Sequence, residues 1–540
     1  MLKGEFSLSS LAKLKDPAPT SPNAAGDLFE TDHLQHNLRA RSIRGGMVTF
    51  GSQSAKLLIS MVSAFSLARL LNPADFGIVA MVSPIAGFIS LFQDLGLSMA
   101  TVQKEKITHE QTSTLFWVNV CISVLLALFT VAISPLVGWF YGDYRTIGVT
   151  MAIAGTFLFG GLASQHHALL QRNMRFRTLA IIEITMFSSG VAVGIFTASR
   201  FVGWGYWSLV AMNLTSGFVN CIGLWWASSW RPGRPRRHIG TRALVKFGGR
   251  ITFATVMAYV ATQLDRLALG RFYNPVGTDL ATPDELLLSR KAALGVYVRS
   301  QSMFITPLQQ IMMPLNYVMV PLFSRLVSDR ERLRAAAGHV MEIASAVMLP
   351  VAIGSFFCAT EIVHVMLGKN PQWAAAIPVT RAFALMAITL PVGLVVNALF
   401  VATGRTDVLV KWEAAWTALI LISLPLALYW GPVGVALVLG TGHLITAPVH
   451  IYIAHRVMQI DFKHCRALVV QNVTSVVLCG AAIWMAQPIT RELSDLVRAA
   501  LLGLLILLTH ALTLYMFGAT YRMKRTLQAI WPTRGGFNEA

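Results

Sequence analysis

The sequence predicts an all-α polytopic membrane protein with about fourteen transmembrane helices, set out as two parallel six-helix repeats plus two extra C-terminal helices. Three observations carry this. The 540-residue chain is 55% hydrophobic and only 13% charged, where a soluble chain carries about 25% charged residues. Many of its apolar runs are near the length of about 20 residues that a helix needs to cross a bilayer. The chain also repeats itself. GGMVTF (45–50) returns as GGRITF (248–253), and ARLLNPADFGIV (68–79) returns as GRFYNP (270–275) and, after a polar insertion, LGVYV (294–298).

Along the chain, residues 1–41 carry mixed charge with Pro17, Pro19 and Pro22, and read as a mostly disordered cytoplasmic tail. Spans at 46–70, 75–97, 113–137, 147–170, 178–199 and 204–228 make an N-terminal lobe over 42–230. Residues 231–247 are a basic cytoplasmic linker containing Arg231, Arg234, Arg236, Arg237, Arg242 and Lys246 and no acid. Spans at 248–270, 294–322, 337–358, 376–402, 409–429 and 432–454 make a second lobe over 248–456. Two extra spans, 466–486 and 497–518, lie within 457–520, and 521–540 is a cytoplasmic tail. Pro84 and Pro391 sit inside spans, so those spans could be broken differently.

The net charge of +19 fits membrane topology better than nucleic-acid binding, because the basic residues sit in short loops between apolar runs. Every second loop is rich in Arg and Lys, which places both termini in the cytoplasm. The five cysteines form no C-x-x-C pair, and no disulfide or zinc framework is visible.

The repeat has a structural meaning. Arg69, Asn72 and Pro73 align with Arg271, Asn274 and Pro275, and Phe76-Gly77 aligns with Leu294-Gly295. Six spans per repeat is an even number, so both halves insert with the same orientation. Parallel repeats of this kind are related by an axis along the membrane normal, and place a substrate site between them that alternating access can expose to either side.

Thr49, Gln53, Lys56, Ser60 and Ser63 form one polar stripe on the first span, and Thr252, Thr255, Tyr259, Thr262 and Arg266 form another on the seventh. Such faces either line a water-filled cleft or glue helices together. Lys56 sits about 15 Å deep at 1.5 Å per residue, where a charge costs at least about 2.5 kcal/mol. The candidate substrate-binding residues are Lys56, Arg266, Arg299, Gln53, Tyr259 and Thr255. Asp265, Glu183 and Asp94 are candidates for coupling or ion pairing; Arg266 could pair locally with Asp265, and Glu183 and Asp94 could snorkel from helix ends. The deep charges are mostly basic, which suits an anionic substrate such as a phosphate. No catalytic residue, metal site or cofactor is expected.

The segments RLLNPADFGIVAM (69–81), DLGLS (94–98), FWVN (116–119), WGYWSLV (204–210), LGVYVR (294–299), PLQQI (307–311) and ATGRTD (402–407) resemble bacterial polysaccharide transporters. These are the oligosaccharide flippases of the multidrug/oligosaccharidyl-lipid/polysaccharide exporter superfamily. The resemblance spans roughly residues 40–520; the order and spacing of the segments carry it. It implies a fourteen-helix fold in the bacterial inner membrane. It also implies translocation of undecaprenyl-diphosphate-linked oligosaccharide units for exopolysaccharide, capsule or O-antigen synthesis. Its implied partners are the lipid-linked substrate, membrane lipids, and the polymerase and chain-length proteins of the same pathway, with no nucleic acid. The amino-terminal tail and the insertion at 274–293 depart from the family's pattern.

Three rivals stay open. A lipid II flippase shares the diphosphate chemistry. A cation-coupled multidrug exporter would want an acidic cavity. A membrane polysaccharide polymerase would want a large outer loop with catalytic Arg or His; the longest here, 271–293, has only about twenty residues. No G-x-x-x-x-G-K-[ST] loop and no H-E-x-x-H motif is present.

Overall fold

A computed structural model describes residues 38–94, 96–104, 107–235, 259, 262–275, 282–458 and 462–518. Among these residues the regular structure is helical, with no strand. The helices are α1 (Leu38–Leu70), α2 (Pro73–Ser90), α3 (Leu97–Gln103), α4 (His109–Tyr141), α5 (Arg145–Arg172), α6 (Phe176–Ala198) and α7 (Trp207–Ser228). After the basic linker come α8 (Leu264–Phe272), α9 (Pro283–Leu326), α10 (Arg330–Phe357), α11 (Ala359–Leu367), α12 (Ala376–Ala402), α13 (Thr406–Tyr429) and α14 (Gly431–Met458). The last two are α15 (Phe462–Thr490) and α16 (Asp495–Met516).

Eleven helices among the described residues are long and apolar enough to cross a membrane. The three expected spans outside that set are 46–70, 248–270 and 294–322. They map to α1, to a stretch described only at Tyr259 and from Thr262 onward, and to α9. Polar residues lower the hydropathy of two of them: Gln53 and Lys56 on α1, Arg299 and Gln301 on α9. The chain is therefore a multi-pass membrane protein.

One expectation is corrected. The sequence reads residues up to Leu294 as a polar insertion, yet α9 already begins at Pro283. The Thr282 hydroxyl accepts from the Glu285 amide at 3.3 Å, the Glu285 carboxylate accepts from the Thr282 amide, and Pro283 occupies the first turn. That capping box starts a helix wherever good helix formers follow, and ELLLSRKAAL does follow. The resulting helix has 44 residues, or about 66 Å at 1.5 Å per residue. It is twice the thickness of a hydrocarbon core of about 30 Å.

Helix ends elsewhere follow local chemistry. The Asn72 amide donates to Asp75 at 3.0 Å and Pro73 sits at the first turn of α2, so the N-P-x-D pattern turns the chain sharply between α1 and α2. Gly142 takes a left-handed conformation (φ 70°) after α4, and the amides of Gly142 and Asp143 close on the carbonyls of Trp139 and Gly138. That turn fixes the position of Asp143.

Within the first part of the chain α4 packs on α5, α6 on α7, α5 on α7 and α1 on α6. Within the second, α12 packs on α14 and on α10, and α9 on α12. The main contact between the two groups is α2 against α9. The largest buried cluster spans it, with Phe76, Met81 and Tyr141 from one side and Leu294, Tyr297 and Trp373 from the other. Helices α15 and α16 pair with each other and pack against α10.

Candidate functional site

The two helix groups meet at a seam built on two glycines. A Cβ on Gly77 would run into the backbone carbonyl of Lys291, and a Cβ on Gly295 into the carbonyl of Pro73. Each glycine thus faces the residue four before the other, the relation expected of two helices crossing about a pseudo-twofold axis. Small residues let helix backbones approach this closely.

Polar contacts lock the seam. Lys291 Nζ lies 3.0 Å from Asp143 Oδ2, with the side chains only 2% and 4% exposed. Arg145 Nε is 3.1 Å from Asp143 Oδ1. Burial pushes the Asp143 carboxyl up, but the hydrogen bonds from Lys291 and Arg145 outweigh it and hold the group below the ordinary carboxylate range. Trp373 Nε1 donates to the Ala68 carbonyl at 3.1 Å, its ring meets Phe76 edge-on at 5.7 Å, and Arg69 Nη2 donates to the Val365 carbonyl at 3.2 Å. These contacts cluster where α1 ends and α2 begins, so the groups are clamped at that end of the bundle. Deeper along α2, the Tyr259 hydroxyl donates to the Pro84 carbonyl at 3.1 Å, and glycine at position 87 leaves room for the ring. Tyr259 therefore bridges the groups.

Arg299 sits one turn past Gly295. Its guanidinium lies over the Phe76 ring at 4.8 Å, and Nε and Nη2 are buried without a hydrogen-bond partner among the described residues. Arg266 donates from Nη2 to Gln301 Oε1 at 2.7 Å and from Nη1 to Gln263 Oε1 at 3.1 Å. The local ion pair considered for Arg266 and Asp265 does not form through their side chains. Asp265 accepts instead from the Tyr297 hydroxyl at 2.5 Å and from the Arg266 amide at 2.8 Å. A buried carboxylate needs donors, and the Tyr297 hydroxyl and the Arg266 amide supply them while the guanidinium bonds glutamines. Two guanidiniums thus stand beside the clamped seam, Arg266 hydrogen-bonded to glutamines with Asp265 nearby and Arg299 with two unpartnered donors among the described residues.

In the first group Glu183 takes the ion-pairing role that the sequence left open for it. Lys56 Nζ bonds Glu183 Oε2 at 2.8 Å across α1 and α6, with side chains 19% and 32% exposed. Lys56 is an ion-paired cation, and Glu183 does not snorkel; pairing removes most of the cost of leaving either charge at that depth. Asp94 does not snorkel either. It accepts from the Ser164 hydroxyl at 2.7 Å, the Ser98 hydroxyl at 2.6 Å and the Asn119 amide at 3.3 Å, and from the Ser98 amide at the start of α3. This accounts for the D-L-G-L-S segment as a helix-start motif. Gln53 is half-buried, one turn before Lys56 on α1. Thr255 lies outside the described residues.

Asp143 and Lys291 escaped the sequence reading. Lys291 fell in the supposed insertion; the capping pattern at 282–285 and its place four residues before Gly295 are the signals that could have found it.

Residues 66–378 match the family described as polysaccharide biosynthesis protein. The lipopolysaccharide biosynthesis protein WzxC of Escherichia coli strain K12 is 20% identical over 428 residues, covering 78% of this chain and 82% of that protein. The succinoglycan biosynthesis transport protein ExoT of Rhizobium meliloti strain 1021 is 25% identical over 341 residues, covering 62% of this chain and 64% of that protein. Among solved structures, the lipid II flippase MurJ in an inward closed conformation aligns with a TM-score of 0.66 at 14% identity, covering 90% of this chain and 100% of that one. An inward-facing MATE-family multidrug resistance transporter of the MOP superfamily aligns with a TM-score of 0.59 at 14% identity, covering 77% and 98%. These two establish the fold. With more than half of its length matched, the chain belongs to the polysaccharide biosynthesis protein family, and it shares the fold of these two solved structures.

Proposed function

We propose that the chain flips an undecaprenyl-diphosphate-linked oligosaccharide across the bacterial inner membrane by alternating access, with lobes at 42–230 and 248–456 rocking about the glycine seam. Both termini and the 231–247 linker face the cytoplasm, so the clamped end faces outward and the opposite end admits substrate. The observation that carries this reading is the pair of guanidiniums at the base of the clamp, Arg299 with two unpartnered donors among the described residues and Arg266 bonded to glutamines, in a chain of a polysaccharide biosynthesis family.

A sugar head group crosses hydrocarbon slowly because each desolvated hydroxyl costs several kcal/mol, roughly 4–8 in an alkane reference. A hydrated cleft removes that cost while the polyprenyl tail stays in lipid. Arg299 and Arg266 hold the diphosphate through forked hydrogen bonds. Gln53 faces the sugar, and the Lys56–Glu183 pair forms part of the cleft wall without presenting net charge. Opening the outer end requires breaking Lys291–Asp143 and the Trp373–Ala68 bond. The anion's exit is helped by a negative-inside potential, by about 2.3 kcal/mol per charge per 100 mV. Polymerase and chain-length proteins then receive the unit at the outer leaflet.

A lipid II substrate would use the same arginines; ExoT and WzxC, named for exported or surface polysaccharides, favour the exopolysaccharide or O-antigen reading. The test is a deletion strain with the sugar pathway intact. Lipid-linked repeat units held on the inner leaflet, shielded from a membrane-impermeant sugar-modifying reagent, support flipping. Units exposed on the outer leaflet but unpolymerised point to a polymerase instead.

A further inference from the structure

The last two helices, α15 and α16, lie outside the repeat. α16 is apolar except for Asp495 and Arg498, the only Asp, Glu, Lys or Arg in its 22 residues. A charge on a bilayer-crossing helix is costly unless it is paired. Both of these are paired with the same short segment, α11 and the turn that follows it.

Arg498 Nε stands 3.1 Å from Glu361 Oε1, with side chains 21% and 7% exposed. Asp495 Oδ2 stands 3.0 Å from Lys369 Nζ and 3.3 Å from His364 Nδ1. Three positions separate Glu361 from His364 and Asp495 from Arg498, so each of these pairs lies on one helix face. Lys369 is 73% exposed, and an ion pair so open to water contributes little. The buried Glu361–Arg498 pair is therefore the main tie, and Asp495 adds to it at the rim.

On its other side α11 meets the first helix group. Its Val365 carbonyl accepts from Arg69 on α1. Gly368 ends α11 with φ 87°, a conformation that favours glycine, and the Asn370 side chain then accepts from the Gln372 amide at 3.1 Å. That turn delivers the fully buried Trp373 to the Ala68 carbonyl and the Phe76 ring. Residues 359–373 thus form a wedge between α1 and α2 on one side and α16 on the other. The wedge leaves the end of α10 at Cys358, where the helix breaks, so its direction is set by what it touches.

α16 is a fixed base for this wedge. Below the ion pairs, Leu502 and Ile506 pack with Leu349, Ile353 and Cys358, and with Cys479 of α15. His510 Nε2 lies 3.0 Å from the Ala346 carbonyl of α10, and its Nδ1 lies 2.7 Å from the Ser475 hydroxyl. The last two helices are anchored to α10 at depth and reach α11 only with their charged end.

We propose that Arg498 and Asp495 are positioning residues for the clamp between the helix groups. Through Glu361, His364 and Lys369 they hold α11 against the end of α1, so the last two helices set how readily the clamped end opens. Loss of this grip lets α11 tilt away from α1 and takes the Arg69 and Trp373 bonds with it. The role in transport rests on the reading that this end opens during each cycle.

The clamp is read with Ala68→Cys in a chain whose native cysteines are replaced, purified at full length in lipid nanodiscs and challenged with a maleimide. Labelling is expected to quicken roughly tenfold in Arg498→Gln, equivalent to about 1.4 kcal/mol in the opening equilibrium. It should quicken less in Asp495→Asn. Reversing the pair, with Glu361→Arg and Arg498→Glu together, should restore slow labelling. Leu224→Ala is the control: it opens a cavity in the first helix group, among Leu170, Leu179 and Ile182, and should lower the melting temperature without quickening labelling. Equal quickening there would reduce the effect to general loosening and overturn the proposal. Wild-type protection in a folded Arg498→Gln chain also overturns it. Where Arg498→Gln yields no folded protein, Asp495→Lys, which repels Lys369 at the rim, and its reversal by Lys369→Asp carry the same test. The deletion strain separates the proposal from the transport reading. If wild type restores polymer while every variant labels as slowly as wild type, the brace falls and flipping stands. If wild type itself moves no lipid-linked unit, the transport reading falls, and the labelling rates still decide what holds the clamp.

Discussion

Gly77 and Gly295 are the two halves of one crossing: each fills the space beneath the other helix's carbonyl, at Lys291 and at Pro73. They are also the aligned glycines of the sequence repeat. The duplicated segment is thus conspicuous because both copies meet at the seam, and there neither can carry a side chain.

Gly295→Ala or Gly77→Ala should therefore hold the clamped end apart. The obstructing atoms are backbone, which cannot swing aside. A cysteine at Ala68, 3% exposed at the seam, placed in a chain whose native cysteines are replaced, reads the result with a maleimide. Slow labelling is expected with both glycines present and rapid labelling with either alanine. Equal protection in both would mean the seam does not depend on the crossing.

The Lys291–Asp143 pair predicts an order of stabilities. Asp143→Asn leaves the buried Lys291 cation unpaired and should be the most damaging single change, on the order of 3–5 kcal/mol for breaking a buried pair. Lys291→Met is milder, because Arg145 still faces Asp143. The double variant should recover part of the loss. Thermal melting in one detergent ranks the three; additive losses in the double variant would show that the two residues do not interact.

The pH dependence of that pair follows from its lowered carboxyl. A depressed native value contributes stability that is fully present above the unfolded value, near 3.9. It is lost as pH falls through the lower native one. Melting temperature should then be insensitive to Asp143 between pH 5 and 8. The gap between wild type and Asp143→Asn should shrink only in stronger acid; a gap that opens instead on acidification would contradict the sign.

How much of this could be read beforehand depends on range along the chain. Periodicity and hydropathy show the helices, and the repeat shows which two helix starts are equivalent. Depth alone marks Arg299 and Arg266. Partners are another matter. Lys56 finds Glu183 from 127 positions away and Lys291 finds Asp143 from 148. Which helix faces put them together is settled by packing among five helices, and no local pattern encodes that. The early start of α9 was different: Thr282-Pro283-Asp284-Glu285 is a local signal, masked by its polar composition.

Because Lys56 and Glu183 neutralise each other, their role is separable from substrate binding. Either single change, Lys56→Met or Glu183→Gln, strands a partly buried charge and should reduce folded yield. The double variant restores neutrality and should return both folded protein and polymer output. Lost output with normal yield in the double variant would place Lys56 on the substrate after all.

Arg299 carries the sharpest expectation. Its forked donors lie unused beside Phe76, so Arg299→Ala should leave folded yield unchanged, or raise it, because a buried unpaired cation is removed. Polymer output should fall, with repeat units accumulating on the inner leaflet. Arg299→Lys keeps the charge and loses the fork; it should fall between wild type and alanine. Arg266→Lys should behave alike, and it also strands the Gln301 and Gln263 carbonyls that Arg266 now satisfies. Quantifying leaflet distribution and polymer in the same cells decides the matter: full output from Arg299→Ala at normal protein level would remove this arginine from the path of the diphosphate.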